Sequence, residues 1–167
     1  MVLTIVLAVV MMVGLFLLLL GGVGFVQDKK FFSSAPKEVL EVVPEMKPQR
    51  FKGQHLVGWL IIIAAFILMI GAIIIGAIDA VSNGFNLGQS FMRFFIMLLL
   101  VKVFDVSFFD WVLLCNAGLN FFPHFYPETK AVLGRHLFGF NWKTHLLQVI
   151  CFIPVSAILA GICLLFN

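Results

Sequence analysis

The chain has 167 residues, of which 62% are hydrophobic and 11% are charged, and its formal net charge is +3. Soluble domains carry about 25% charged residues, so this composition excludes a water-soluble globule and predicts a single membrane domain over residues 1–167. The basic residues form no Lys- or Arg-rich block, so we expect membrane lipids as partners and no nucleic acid.

The three cysteines, Cys115, Cys151 and Cys163, lie within or at the ends of apolar segments. No two of them have the C-x-x-C spacing of a metal or redox site. We therefore expect them to behave as small hydrophobic side chains, and the sequence predicts no cofactor.

Four segments are apolar enough to be transmembrane helices, each of which needs roughly 20 residues. They comprise residues 2–26, 56–78, 91–115 and 146–166. The first lacks both the basic start and the A-x-A motif of a cleaved signal peptide, so we expect it to be retained. The predicted fold is an all-α, four-transmembrane-helix bundle with a long first loop, 27–55, and an aromatic-rich third loop, 116–145.

The first loop is predicted to contain a short amphipathic helix. Pro36 suits a first helical turn, and Lys37 can pair with Glu41 one turn later. Pro44 and Pro48 then stop any helix. The segment either lies on the membrane surface as this helix or is a solvated linker.

Small residues recur every four positions in two of the segments, a spacing that allows helices to pack closely in lipid. In the second segment they are Ala72, Gly76 and Ala80. In the fourth they are Ala157 and Gly161. We expect these two faces to be packing faces.

The third segment is the only one with several charged residues. Lys102 and Asp105 are three apart and are expected to form an ion pair. Asp110 is rotated about 140° from Asp105 on an α-helix, so we expect it to face a different neighbour or the head-group zone. Asp79 is expected to face Arg93. The Lys102–Asp105 pair is either a functional polar site in the membrane or an ion pair that fixes helix register.

The third loop holds the best constellation for a site. Pro123 and Pro127 predict an extended segment in which His124, Tyr126 and Glu128 point to one side. The candidate catalytic residues are His124, Tyr126, Glu128 and His136, and the candidate substrate-binding residues are Arg135, Asp110 and Asn141. In the alternative interpretation, the loop is an interfacial anchor whose aromatic residues lie in the head groups.

A metal site is a further interpretation of the same loop. Its ligands would be His124, His136 and His145, with Asp110 or Glu128. Because the spacing of these histidines matches no metal motif, no metal is predicted.

Lys and Arg are distributed asymmetrically among the loops. Six of the 11 basic residues lie in the first loop and three in the third, whereas the second loop has none. Short loops rich in Lys and Arg stay in the cytoplasm. We therefore expect both of these loops to be cytoplasmic and both termini to be non-cytoplasmic.

The segment FFPHFYPET at 121–129, followed by Gly134, His136 and FGFN at 138–141, resembles a signature of uncharacterised small bacterial four-span membrane proteins. The resemblance covers about a fifth of the chain. It implies a bacterial inner-membrane protein and no known activity.

Three functions remain open from the sequence. The first is a lipid-head-group-binding protein or small membrane enzyme with a polar site facing the cytoplasm. The second is an ion-coupled transport or channel subunit that uses Lys102, Asp105 and Asp110, as a homo-oligomer or in a membrane complex. The third is a non-catalytic scaffold or complex subunit.

Overall fold

The computed structural model describes residues 1–32, 35–115, 120–134 and 141–166. Two π-helical segments directly continue longer α-helices, and two 3₁₀ turns lie in the loops. The elements are α1 (Val2–Leu19) with its π extension (Leu20–Val26), a 3₁₀ turn (Lys29–Phe32), α2 (Lys37–Val42), α3 (Gln54–Ser82), α4 (Leu87–Phe104) with its π extension (Asp105–Cys115), α5 (Phe121–Phe125), a 3₁₀ turn (Pro127–Ala131) and α6 (Trp142–Leu165).

Three of the helices are long and apolar enough to cross a membrane. They are Val2–Val26, Gln54–Ser82 and Trp142–Leu165. This confirms an all-helical membrane protein and three of the predicted segments, and α3 and α6 each begin before the predicted boundary. The third predicted segment, 91–115, forms helix throughout but is not among these three.

The long helices pack in a defined order. α1 lies against α3 and α4, while α6 lies against α4 and, less extensively, α3. The predicted small-residue face of α3 is confirmed, because Ala72, Gly76 and Ala80 are all buried. Apolar side chains on the remaining surface of α3, such as Ile67, are exposed, which is the expected arrangement for a lipid-facing helix.

Glycines set the close approach between α1 and α3. A Cβ at Gly58 would lie 2.7 Å from Val26 Cγ2 and 2.9 Å from the Val26 backbone nitrogen. A Cβ at Gly21 would lie 2.9 Å from Ile62 Cγ1. No side chain fits at either position without displacing its neighbours, so the two backbones touch there.

The predicted packing face of α6 is wrong. Ala157 is exposed, and a Cβ added at Gly161 would meet open space. The buried residues are instead Ser156, Ala160 and Cys163. These also recur every three to four residues. The packing face therefore has the predicted periodicity but lies on the adjacent side of the helix.

The first and third loops fold together into a loop cap, defined here as residues 27–32, 35–53 and 120–134. Its core is aromatic and aliphatic and includes residues from the π extensions of α1 and α4. The buried members are Val23, Phe32, Val39, Val43, Leu113, Leu114, Phe122, Tyr126 and Leu133. The predicted helix after Pro36 is confirmed as α2, and its buried Val39 packs into this core, so the segment is not a solvated linker.

Candidate functional site

The charged residues of the third segment form pairs. Lys102 Nζ lies 2.6 Å from Asp105 Oδ2, which confirms the predicted ion pair. The Lys102 side chain is 7% exposed and that of Asp105 is 28% exposed, so the carboxylate is the more accessible partner.

The helix geometry changes between these residues. Lys102 belongs to α4, whereas Asp105 and Asp110 belong to the π extension. In a π-helix each N–H bonds to the carbonyl five residues earlier, so residues five apart lie near the same face. The expectation that Asp110 faces a different neighbour from Asp105 is confirmed, because Asp105 pairs with Lys102 of the same helix and Asp110 pairs with His145 of α6. Both aspartates line one cavity.

The partner of Asp110 comes from α6. His145 Nε2 lies 2.7 Å from Asp110 Oδ2, and the side chains are 18% and 15% exposed. His145 is in the first turn of α6, where Asn141 stands at the helix N-terminus. A carboxylate is favoured at a helix N-terminus by the helix dipole. Asp110 thus joins the π extension to the start of α6.

These groups surround a polar cavity of about 370 Å³, called here the head cavity. Its walls come from α1, α4, the π extension and α6, and two of the pairs described above face it. The lining residues are Leu15, Val101, Lys102, Asp105, Asp110, Asn141, Thr144, His145, Gln148 and Phe152. Carboxylate, ammonium, imidazole, amide and hydroxyl groups thus meet at one place among otherwise apolar helices.

An apolar groove of about 500 Å³, called here the tail groove, lies beside the head cavity. Its lining residues are Leu99, Lys102, Val103, Val106, Ser107, Trp111, His145, Leu146 and Val149. Lys102 and His145 line both spaces, so they form the wall between them. Several groove residues, including Val103 and Trp111, are exposed on the outer surface.

The other charged pair of α4 lies at the opposite end of the helix. Arg93 Nη1 lies 2.6 Å from Asp79 Oδ2, as predicted, and donates to the carbonyl of Gly76 at 2.9 Å. Its guanidinium also stacks on Phe85, 4.4 Å from the ring centroid. Arg93 therefore ties α4 to the end of α3.

The third-loop candidates are not held on an extended strand. Residues 121–125 form α5 and residues 127–131 form a 3₁₀ turn, so the predicted alternation of side chains is wrong. The cause is local, because each proline lies in the first turn of its helix. Backbone N–H groups there have no partner within the helix, so a proline removes no hydrogen bond. As a result His124 is exposed, Tyr126 is fully buried, and Glu128 is partly buried.

Tyr126 and Glu128 serve the loop cap. Lys47 Nζ lies 2.9 Å from Glu128 Oε1 and 4.5 Å from the centroid of the Tyr126 ring, and it donates to the carbonyl of Phe125 at 3.0 Å. Burial, with smaller contributions from the carboxylates of Glu128 and Asp28, raises the pKa of Tyr126 well above its ordinary value. The buried Tyr126 ring packs against Phe32 of the first loop, 4.8 Å between ring centroids, so it joins the two loops.

Two of the sequence candidates, Arg135 and His136, lie outside the described residues. Of the remaining candidates, Asp110, Asn141 and His145 meet Lys102 and Asp105 at the head cavity. Within the part of the chain that the structure describes, no three His, Cys, Asp or Glu side chains are grouped as metal ligands.

The sequence analysis missed Thr144 and Gln148, which also line the head cavity. They could have been identified from the sequence, because polar residues recur there at spacings of three and four: Asn141, Thr144, His145 and Gln148. That spacing places polar groups on one face of a helix that is otherwise apolar.

No protein-family model, curated protein or solved structure matches this chain.

Proposed function

We propose that the protein binds a membrane amphiphile, with the polar head in the head cavity and the hydrocarbon chain in the tail groove. The observation that carries the proposal is the common wall formed by Lys102 and His145. A polar cavity beside an apolar, outward-facing groove matches the two halves of a lipid. The combined size of the two spaces falls within the range of small-molecule sites.

The proposal includes a fourth membrane crossing by α4 and its π extension. At 1.5 Å per residue for its α-helical part, this helix is long enough for a hydrocarbon core of about 30 Å. Its four charged residues are each paired, which lowers the cost of placing them in lipid. In this arrangement, the head cavity lies in the half of the membrane next to the loop cap.

We place the loop cap in the cytoplasm of a bacterial cell and both termini outside, because Lys and Arg concentrate in the two capped loops. A reporter fused after Asn167 should then behave as periplasmic, and one inserted at residues 37–47 as cytoplasmic. A cytoplasmic signal from the C-terminal fusion would reverse the orientation and move the head cavity to the outer leaflet.

Trp111 provides a direct test of amphiphile binding, because it lines the tail groove. The chain has three tryptophans, so the Trp59→Phe/Trp142→Phe variant keeps Trp111 as its single fluorophore. The variant is placed in phosphatidylcholine nanodiscs with increasing amounts of lipid brominated on its chains, which quenches tryptophan on contact. We expect saturable quenching at a lipid fraction about tenfold below that for random contact, a difference of about 1.4 kcal/mol.

A matched reporter measures random contact. The Trp111→Phe/Trp142→Phe variant keeps Trp59, which is exposed on α3 and does not line the groove. Filling the groove with Val149→Phe should abolish the preference at Trp111, whereas Ile67→Phe on the exposed face of α3 should not. Equal, non-saturable quenching of both tryptophans would overturn the proposal.

A second function rests on the two acid–base pairs that face one cavity. Lys102–Asp105 and His145–Asp110 are groups of the type that carry protons through ion-coupled transporters. We propose this as the alternative, in which the protein is a transport or channel subunit and acts as an oligomer. A non-catalytic scaffold is the outcome that remains if neither lipid binding nor proton movement is found.

A further inference from the structure

The exposure of the charged groups in the head cavity differs strongly. Lys102, the one lysine of its described lining, is 7% exposed at the side chain and is already paired at 2.6 Å. The carboxylate of Asp105 is 28% exposed and that of Asp110 is 15% exposed. A ligand that enters the cavity therefore meets negative charge before it meets the ammonium group.

The net charge of the side chains that line the cavity is also negative or zero. Its described lining contains two carboxylates, one lysine and one histidine, and no arginine. With a neutral imidazole the net charge is −1, and with a protonated one it is zero. The remaining polar residues, Asn141, Thr144 and Gln148, are uncharged and can both donate and accept hydrogen bonds.

We propose that the head group bound here carries hydrogen-bond donors and no net negative charge, as an ammonium or a hydroxyl-bearing head does. This inference rests on the amphiphile-binding function proposed above. The exposed oxygens of Asp105 accept hydrogen bonds from such donors, and bonds to a charged group are the stronger ones. The amide and hydroxyl side chains complete the contacts with the rest of the head.

An anionic phosphate monoester fits the same cavity poorly. Proteins bind such groups with arginine forks, free lysines or helix N-termini. Here the lysine is engaged by Asp105, and the N-terminus of α6 already has the Asp110 carboxylate close to it through His145. A phosphate would add negative charge beside two aspartates.

The test compares three brominated lipids with identical diacyl chains and different heads. One carries a hydroxyl (diacylglycerol), one a primary ammonium, and one a phosphate monoester (phosphatidic acid). Each is titrated into nanodiscs that hold the single-Trp111 variant, with the single-Trp59 variant as the reference for random contact. We expect the hydroxyl and ammonium lipids to quench Trp111 at fractions roughly tenfold lower than phosphatidic acid does.

The variant Lys102→Met/Asp105→Asn separates the contribution of charge from that of shape. It removes both members of the pair, so no buried charge is left alone, and it keeps an amide where the carboxylate stood. We expect the ammonium lipid to need about a tenfold higher fraction to quench Trp111 in this background. The hydroxyl lipid should change much less, because Asn141, Thr144 and Gln148 remain.

The outcomes distinguish this inference from the function on which it rests. Preferential quenching by phosphatidic acid would overturn the head-group assignment while leaving amphiphile binding intact. Unchanged quenching by the ammonium lipid in Lys102→Met/Asp105→Asn would show that Asp105 does not contact the head. If none of the three lipids quenches Trp111 more than Trp59, both proposals fail together.

Discussion

Two ion pairs on the same helix have the same length and different surroundings. Arg93 and Lys102 each lie 2.6 Å from an aspartate oxygen. Arg93 pairs with Asp79 of α3, bonds to a carbonyl of α3 and stacks on an aromatic ring. Lys102 pairs with Asp105, three residues further along its own helix, so this pair joins no two helices.

The polar groups next to each pair also differ. A cavity of about 520 Å³ adjoins Arg93 and is also lined by Thr4, while its other polar residues, Asn86 and Gln89, cap the N-terminus of α4 by bonding to each other's backbone. At the head cavity, several polar side chains surround Lys102 and Asp105 without a capping role of this kind. A buried charge is therefore evidence for a site only when free space and further polar groups surround it, and Arg93 fits a structural clamp better.

The largest expected effect is loss of the clamp. Asp79→Asn leaves the guanidinium of Arg93 buried, with a 4% exposed side chain and no carboxylate partner. Breaking a buried pair in this way costs about 3 kcal/mol, at the low end because Asp79 itself is 30% exposed. Thermal unfolding in detergent should show a markedly lower midpoint, with unchanged saturable quenching of Trp111 in the folded fraction.

The matched control for the clamp removes both charges. Asp79→Leu/Arg93→Met leaves no unpaired ion and should recover most of the lost stability. A double variant as unstable as Asp79→Asn would mean that the bond from Arg93 to Gly76 and its stacking on Phe85 hold the helices together more than the ion pair does.

The sequence predicted those features that depend on composition and short spacing. Apolar length alone located three helices that can cross a membrane. The pairs Lys102–Asp105 and Asp79–Arg93 followed from opposite charges one turn apart or at adjoining helix ends. Each of these inferences concerns residues that are close along the chain or lie near the same end of adjacent segments. None of them needs knowledge of how the helices pack.

The predictions that were wrong required the tertiary fold. The cavity shared by Asp105 and Asp110 was not predicted, because nothing in the sequence marks the change from α- to π-helix after Phe104. The packing face of α6 failed because two adjacent stripes of small residues are equally periodic, and only packing selects between them. Pro123 and Pro127 were assigned to extended backbone, although proline is equally suited to the first turn of a helix.

The location of the cavity was the hardest feature to predict. The sequence left two locations open for a polar site: the third loop, where histidine and aromatic residues are dense, and the intramembrane residues Lys102, Asp105 and Asp110. In the structure Tyr126 is part of the loop-cap core, and the groups at the head cavity come from helices separated along the chain. The residues Lys102 and His145 are 43 positions apart, so only the packing of α4 against α6 brings them to one wall.

The smaller expected effect concerns Lys102, and it tests whether this pair is different in kind from the clamp. Lys102→Met leaves Asp105 without its partner, but Asp105 is 28% exposed and faces a polar cavity, so the cost should be about 1–2 kcal/mol. Lys102→Met/Asp105→Leu should restore stability to within about 0.5 kcal/mol of the parent, because neither residue ties two helices together.

Lys102→Met/Asp105→Leu should keep stability but lose lipid binding, whereas Asp79→Leu/Arg93→Met should keep both. Thermal unfolding midpoints give the first readout, and saturable quenching of Trp111 by the ammonium lipid gives the second. We expect Lys102→Met/Asp105→Leu to recover the first and lose the second. Recovery of both would mean that the pair has no role in lipid binding. If lipid binding survives but the parent protein moves protons into liposomes and this variant does not, the ion-coupled transport function replaces the amphiphile-binding one.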